Sequence, residues 1–303
     1  MPPFLTRSTV KWHHILGNND AEENNMRNIL LRFGARALSA IMLISSSLVG
    51  ADNNASAVPL ITIESFKDLE DFVDQADPET LLILDVDYTL FQPLTPAFQY
   101  GNFRDNAEFI KKTMQQIPAP LKSEFSTAIA TSGEPQLLDE KAPEIIKRFE
   151  KKGTRILALS SILTGKWKHI LDIMEWRRRS IKNAGIDLTD FGFYSTYRFK
   201  EFSPYKGNYP EVNGGVLLTN GQATSKADAL EALLSKIKWR PKKIIYVDDT
   251  RAILESMTSH AQKNNISFVG VEYKGAKKAK SKPISKQEFE KSWTQLIKDI
   301  QSS

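Results

Sequence analysis

An apolar run that ends in two aspartates constrains the fold more than any other feature of the sequence. Four apolar residues at 81–84 lead directly into Asp85, and Asp87 follows two positions later. A short, continuous apolar run bounded by polar residues is typical of a strand buried on both faces of a parallel sheet. Because ligands bind outside the carboxyl ends of such strands, both carboxylates are predicted to lie at a ligand-binding edge.

The closeness of these carboxylates favours a divalent metal ion as their partner. Two carboxylates this close repel each other unless a cation compensates, and Mg²⁺ prefers hard oxygen ligands of this kind. A metal-bound carboxylate can attack phosphorus to form an aspartyl-phosphate, while a second carboxyl group transfers the proton. A bare D-x-D pattern would instead favour a solvated turn with Thr89 as a helix cap, but the string D-V-D-Y-T-L is more specific.

The next candidate site residues lie at the end of a second predicted strand and at the start of a predicted helix. Residues 155–161 form an apolar run in which Ser160, with Ser161 as the second choice, can donate a hydrogen bond to a phosphoryl oxygen. Lys226 lies in the first turn of a predicted helix, where the helix dipole disfavours a cation. Taken alone, the serine would be a turn or cap residue and the lysine an ordinary exposed one.

A third predicted strand, at 244–247, runs into Asp248 and Asp249. An acidic pair at the carboxyl end of a parallel strand is a second, independent metal-ligand signature. We expect Asp248 to bind the metal directly, and Asp249 to bind it directly or through water or to orient the other ligands. A helix N-cap would explain either aspartate alone, but not the order in which the four motifs occur.

These four motifs together resemble motifs I to IV of the haloacid dehalogenase-like (HAD) superfamily, in its D-x-D-x-T phosphatase form. The resemblance covers roughly residues 64–271. With a Trp-Arg helix before Gly-Ile-Asp at 185–187, the chain also looks like an uncharacterised bacterial HAD-like family. The resemblance implies an α/β fold, a three-layer α/β/α sandwich with a mostly parallel, Rossmann-like sheet, and a Mg²⁺-dependent phosphohydrolase.

The resemblance also implies a role for each motif residue. Asp85 would be the nucleophile, and Asp87 would protonate the leaving group and then activate water. Ser160 and Lys226 would hold the phosphoryl oxygens. The Mg²⁺ ligands would be Asp85, Asp87 through its backbone carbonyl, Asp248 and Asp249. An aspartate at the second motif position favours phosphatase over dehalogenase or phosphonatase chemistry, because ester cleavage needs an acid.

The predicted hydrolase domain spans 58–303 and contains two inserted segments. Residues 91–140 are long enough for a small helical cap, which would close over the site and exclude water. Residues 191–221 are rich in aromatic and turn residues and predict a β-rich insertion, with a hairpin at the Asn-Gly-Gly of 213–215. Helices are predicted at 64–76 and 167–184.

Three consecutive arginines, at 177–179, lie in the second of these helices. Such a run is usually a solvated helix face, although one arginine could help to hold an anionic substrate. The first helix carries an apolar stripe and has Ser65 at its N-cap position.

The first 57 residues predict an N-terminal extension followed by a secretory signal. From Met26, arginines precede an apolar run and then small residues, which is the order of a signal that ends at Ala51 or Ala57 (26–51 or 26–57). We interpret Met26 as the true start and expect an exported, periplasmic or secreted protein. Alternatives are an amphipathic or buried N-terminal helix, and an uncleaved signal that tethers the protein; otherwise no stable membrane span is expected.

Composition excludes several function classes. The absence of cysteine excludes disulfides, thiolate catalysis and zinc–thiolate sites, and four histidines argue against a His-rich metal site. A net charge of +5 is too small and too dispersed to indicate nucleic acid. The partner that the resemblance implies is a small phosphorylated substrate. The alternatives are an exported binding protein that keeps the fold without turnover, and another phosphotransferase of the same fold. Neither substrate identity nor oligomeric state follows from the sequence.

Overall fold

The computed structural model describes residues 60–193 and 195–301. The predicted N-terminal extension and signal lie outside the described residues. Within those residues, no helix combines the length and the apolar character needed to cross a membrane.

One eight-stranded sheet forms the centre of the fold. Its strands, in spatial order, are β1 (Ile61–Ile63), β10 (Ser267–Tyr273), β9 (Lys243–Asp248), β2 (Thr80–Leu84), β5 (Arg155–Ser160), β8 (Val216–Leu218), β7 (Glu211–Asn213) and β6 (Tyr197–Arg198). The six strands from β1 to β8 in this order are parallel, and β7 and β6 are antiparallel additions at one edge. A separate antiparallel pair consists of β3 (Phe91–Pro93) and β4 (Pro135–Leu137).

Strand β2 lies inside the sheet, between β9 and β5, and all five of its residues are buried. Its side chains alternate between the two faces: Leu82 and Leu84 belong to one hydrophobic core, and Leu81 and Ile83 belong to a second core on the other face. A strand apolar at every position is therefore required here, which is why the sequence shows a continuous run rather than an alternating pattern.

Helices cover both faces of the sheet. The helices are α1 (Glu70–Asp74), α2 (Ala107–Gln115), α3 (Lys122–Ala130), α4 (Ala142–Lys151), α5 (Ile173–Asn183), α6 (Lys226–Lys236), α7 (Arg251–Lys263), α8 (Gly275–Lys278) and α9 (Lys286–Gln301). The core that contains Leu82 receives side chains from α1, α4, α5 and α9, and the core that contains Leu81 receives them from α6 and α7. The predicted three-layer α/β/α sandwich with a mostly parallel sheet is confirmed.

Helices α2 and α3 lie within the segment that connects β3 to β4. Trp293 of α9 joins this segment to the rest of the fold: its indole Nε1 donates to the Ala97 carbonyl oxygen at 2.9 Å. Its ring lies 5.7 Å from that of Phe98 and 5.7 Å from that of Phe125, between ring centroids. Trp293 is fully buried, so the C-terminal helix packs against the segment that carries α2 and α3.

Two predicted helices differ from the observed ones. The stretch predicted at 167–184 is helical only from Ile173, because Lys168 has a φ of +50° and the Asp172 carboxylate caps the helix by accepting from Met174 N and Glu175 N. The stretch predicted at 64–76 begins as a 3₁₀-helix at Phe66–Leu69 before α1, although Ser65 does cap it as predicted.

The segment at 191–221 contains β6, β7 and β8, which extend the main sheet beside β5. The predicted hairpin is confirmed: Asn213 pairs with Val216, and Gly214 adopts a φ of +57° in the two-residue turn between them. Glu211 of β7 is buried on this sheet edge, with Arg198 Nε 3.2 Å from its Oε2.

We expect the substitution Glu211→Gln to raise the free energy of unfolding relative to wild type, by an amount that grows as pH rises. Burial raises the pKa of the Glu211 carboxyl to about 7, with Arg198 opposing the shift. The folded protein therefore binds the proton more tightly than the unfolded chain, so wild-type stability falls between about pH 4.5 and pH 7. Urea unfolding should show equal stabilities near pH 4.5 and an advantage for the variant on the order of 2–3 kcal/mol above pH 7. An advantage that does not depend on pH would contradict this assignment.

Candidate active site

The site lies at the carboxyl end of β2, and a tight turn of the backbone builds it. Asp85 N donates to the Val247 carbonyl oxygen at 2.9 Å, which ties the end of β2 to β9. Leu90 N and Phe91 N both donate to the Val86 carbonyl oxygen at 2.9 Å, and Tyr88 has a φ of +64°. This turn follows directly from the strand and keeps Asp87 beside it.

Asp85 and Asp248, at the ends of neighbouring strands, share one lysine. Lys226 Nζ lies 2.5 Å from Asp85 Oδ1 and 2.8 Å from Asp248 Oδ2. All three side chains are buried. Ser225 caps α6 by accepting from Asp228 N, which fixes Lys226 at the first position of the helix. The predicted convergence of Asp85, Lys226 and Asp248 is thus observed.

Hydroxyl groups orient the carboxylates. Tyr246 Oη donates to Asp248 Oδ2 at 2.5 Å, and Thr250 N donates to Asp248 Oδ1 at 2.8 Å. Thr89 Oγ1 donates to Asp85 Oδ2 at 2.9 Å and accepts from Asp249 N at 3.1 Å. Thr89, which D-x-D-x-T places four residues after the first aspartate, therefore connects β2 to the acidic pair after β9.

The electrostatics of the cluster favour an additional cation. Burial raises the pKa of the Asp85 carboxyl to about 7, Lys226 opposes this shift, and Asp248 adds to it. The pKa of Asp249 also lies well above its usual range, because of burial and the charges of Asp248 and Asp85. Burial disfavours the charged form of Lys226, but Asp248 and Asp85 overcome this effect and raise its pKa well above its usual value. One lysine therefore leaves negative charge in the cluster uncompensated.

The donor set fits Mg²⁺. Asp85, Asp248 and Asp249 each offer a carboxylate oxygen, and these oxygens lie within 4.8 Å of one another. Mg²⁺ binds oxygens at about 2.0–2.1 Å, so ligands on opposite sides of the ion are roughly 4 Å apart. Three hard oxygens with this spread would need only small movements to reach one ion. The Asp87 carboxylate is not part of this group, and the role of its backbone carbonyl as a ligand stays a prediction.

Asp87 has a separate set of partners. Ser160 Oγ donates to Asp87 Oδ2 at 3.0 Å, and the Arg177 guanidinium donates to Asp87 Oδ1 at 2.6 Å. Arg177 is fully buried and lies over the Trp176 ring, 4.7 Å from its centroid. The sequence interpretation of 177–179 as a solvated face is wrong for Arg177, although Arg178 and Arg179 are not buried. Only the helical phase relative to the buried Ile173, Met174 and Ile181 could have identified Arg177.

A cavity of about 130 Å³ opens above the carboxylates. Asp85, Asp87, Lys226, Asp248 and Asp249 reach it. Ser161 also lines it, whereas Ser160 is buried beneath and directed to Asp87. The structure thus brings all the predicted site residues into one region, but places the second-choice serine, and not the first, at the cavity surface.

The fold and the site together define an α/β sandwich protein with a buried carboxylate–lysine cluster at the carboxyl edge of its sheet. The chain belongs to a family described as Protein of unknown function (DUF2608), which it matches over residues 62–302. It is 23% identical over 222 residues to the uncharacterized protein RP296 of Rickettsia prowazekii (strain Madrid E), covering 72% of this chain and 77% of that protein.

We expect Mg²⁺ to stabilise the protein through Asp249. Mg²⁺ binding to the folded state alone should raise the melting temperature. Asp249→Asn should weaken the affinity about tenfold or more, because it replaces one of three clustered carboxylates with a neutral amide. Thermal unfolding with increasing Mg²⁺ measures the effect. Glu255→Gln is the control, since Glu255 is an exposed residue of the adjacent α7. An unchanged Mg²⁺ response in Asp249→Asn would show that Asp249 does not bind the ion.

We expect Asp87→Asn to destabilise the fold by about 3 kcal/mol, because it leaves the buried Arg177 guanidinium without its counter-ion. The double variant Asp87→Asn/Arg177→Met should recover most of this loss. Arg148→Met is the control: it breaks a half-exposed pair with Glu70 and should cost less than about 1 kcal/mol. Urea unfolding measures all three variants. A single variant as stable as wild type would contradict a structural role for the pair.

Proposed function

We propose that this protein is a Mg²⁺-dependent phosphomonoesterase of the haloacid dehalogenase-like superfamily that acts through an aspartyl-phosphate on Asp85. The observation that carries the proposal is the meeting of Asp85, Lys226, Asp248 and Asp249 at the ends of β2, β9 and the start of α6. Three of the four motifs, far apart in the chain, supply one edge that would bind both an anion and a cation.

The first half-reaction would transfer the phosphoryl group to the enzyme. An Asp85 carboxylate oxygen attacks phosphorus, and the bond from phosphorus to the ester oxygen breaks. When substrate binds, Asp87 would take up the proton of the phosphomonoester monoanion. It then gives that proton to the departing alcohol oxygen, so the alcohol leaves neutral. Lys226, beside Asp85, would balance negative charge on the transferring group.

The second half-reaction would release phosphate. Asp87, now ionised, takes a proton from water as the water oxygen attacks phosphorus, and the bond from phosphorus to Asp85 breaks. Inorganic phosphate leaves, and both aspartates return to their starting state. Mg²⁺, when held by Asp85, Asp248, Asp249 and the Asp87 carbonyl, would supply electrostatic stabilisation of the phosphoryl oxygens.

The two serines after β5 would have different roles. Ser161 lines the cavity, so we assign it the hydrogen bond to a phosphoryl oxygen that the motif predicts for this position. Ser160 donates to Asp87, as does Arg177, so both would hold the acid–base carboxylate in place. These two are positioning residues, because they act on the substrate through Asp87.

We expect the protein to release p-nitrophenol from p-nitrophenyl phosphate with Mg²⁺ but not with EDTA. Asp85→Asn should lower the rate at least about 10³-fold, because no nucleophile remains. Asp105→Asn is the control, since Asp105 is an exposed aspartate paired with Arg104. Acid quench of wild type should trap phosphate on the protein. Full activity in Asp85→Asn would overturn the proposed mechanism.

A further inference from the structure

The cavity above the carboxylates has walls that are mostly apolar. The carboxylates and Lys226 form its floor, and the hydroxyl groups of Ser126 and Thr250 are also on its lining. The apolar side chains that rise from the floor include Phe91, Phe103, Phe125, Ile129, Ile253 and Trp293. They come from β3, from the segment between β3 and β4, from α7 and from α9. A ligand that places its phosphate on the floor would therefore place the rest of its structure against rings and aliphatic groups.

The walls offer no site for a second anionic group. Among the described residues that line the cavity, Lys226 is the only lysine or arginine, and its Nζ is occupied by Asp85 and Asp248. Burying a charged or hydroxyl-rich group against apolar side chains without partners is unfavourable. This lining disfavours nucleotides, diphosphates and sugar phosphates as occupants.

The free volume is small. Cavities for drug-sized ligands usually measure about 300–1,000 Å³, whereas an apolar cavity of about 150 Å³ admits one benzene molecule. The volume of about 130 Å³ here includes the space above the carboxylates that a phosphate would fill. The organic group enclosed by the walls can therefore be no larger than about one aromatic ring.

Helix α3, which supplies Phe125 and Ile129, is held in place by hydrogen bonds to the loops around the site. Leu163 N donates to Thr127 Oγ1 at 2.9 Å, and Gln222 N donates to Ser123 Oγ at 3.0 Å. The buried Glu124 carboxylate accepts from Tyr205 Oη at 2.5 Å. Three residues of α3, Ser123, Glu124 and Thr127, thus fix it to the loops that follow β5, β6 and β8, so the wall is part of the fold.

We infer that the preferred substrates are phosphomonoesters of a small apolar alcohol, with an organic group of about the size of one ring. This inference rests on the proposed function, since it assigns the organic part of a substrate whose phosphate lies at Asp85. The site would select substrates by the apolar character of their organic group, and α3 and α9 would limit the size of that group.

The test compares substrates with similar leaving groups. Benzyl phosphate and glycerol 3-phosphate are both esters of primary alcohols, so a difference between them reports on the walls more than on bond cleavage. With the full-length protein and Mg²⁺, kcat/KM should favour benzyl phosphate by on the order of 10²-fold. Equal or better turnover of glycerol 3-phosphate would overturn the inference while leaving the proposed phosphatase function standing.

Direct binding separates the two proposals. Calorimetry in the presence of Mg²⁺ should detect binding of benzylphosphonate, which cannot be hydrolysed. The affinity for 2-hydroxyethylphosphonate should be at least tenfold lower. Binding of benzylphosphonate without hydrolysis of any ester would support the apolar site and overturn the phosphatase. Failure of benzylphosphonate to bind would overturn the inference.

A size variant tests the walls themselves. Ile129→Ala enlarges the cavity, so the ratio of kcat/KM for 2-naphthylmethyl phosphate over benzyl phosphate should rise about tenfold. Ile110→Ala is the matched control: Ile110 of α2 is equally buried but does not line the cavity, so its ratio should stay at the wild-type value. An unchanged ratio in Ile129→Ala, or the same rise in Ile110→Ala, would contradict the assignment.

Discussion

The site depends on one buried cation that serves two buried carboxylates. Lys226 Nζ contacts both Asp85 and Asp248, which lie at the ends of adjacent parallel strands. Without a positive charge between them, two carboxylates removed from water would repel each other and raise the free energy of the fold. Asp249 adds a third carboxylate, so one lysine is insufficient, and a divalent cation at this cluster would relieve the remaining charge imbalance.

The elements that position this cluster also hold the sandwich together. Strand β2 sends alternate side chains into the two cores, so its carboxyl end cannot shift without disturbing both. On one face, Trp293 links the C-terminal helix to the segment between β3 and β4 and reaches the cavity as well. The walls of the site are consequently made by core packing, which gives them the rigidity of a close-packed interior.

The buried pair of Arg177 and Asp87 shows where sequence reasoning stops. In a run of three arginines, only the helical phase relative to the neighbouring apolar residues distinguishes a buried position from an exposed one. The burial of Arg177 follows from the start of α5 at Asp172, which sets the helical phase, and from the location of Asp87 across the interface. Likewise, whether Ser160 or Ser161 faces the cavity depends on the exact end of β5, because consecutive residues of a strand point to opposite sides.

The sequence by itself determined the buried central strands β2, β5 and β9 and the four motifs, because a buried parallel strand and its polar carboxyl end leave a local pattern in the chain. It predicted that Asp85, Lys226, Asp248 and Asp249 would share one edge. Only the tertiary structure decided the partners of Asp87, the serine at the cavity and the apolar walls from α3 and α9. Those features depend on contacts between residues more than 70 positions apart, such as Asp87 with Ser160 and Ala97 with Trp293, and no local pattern records them.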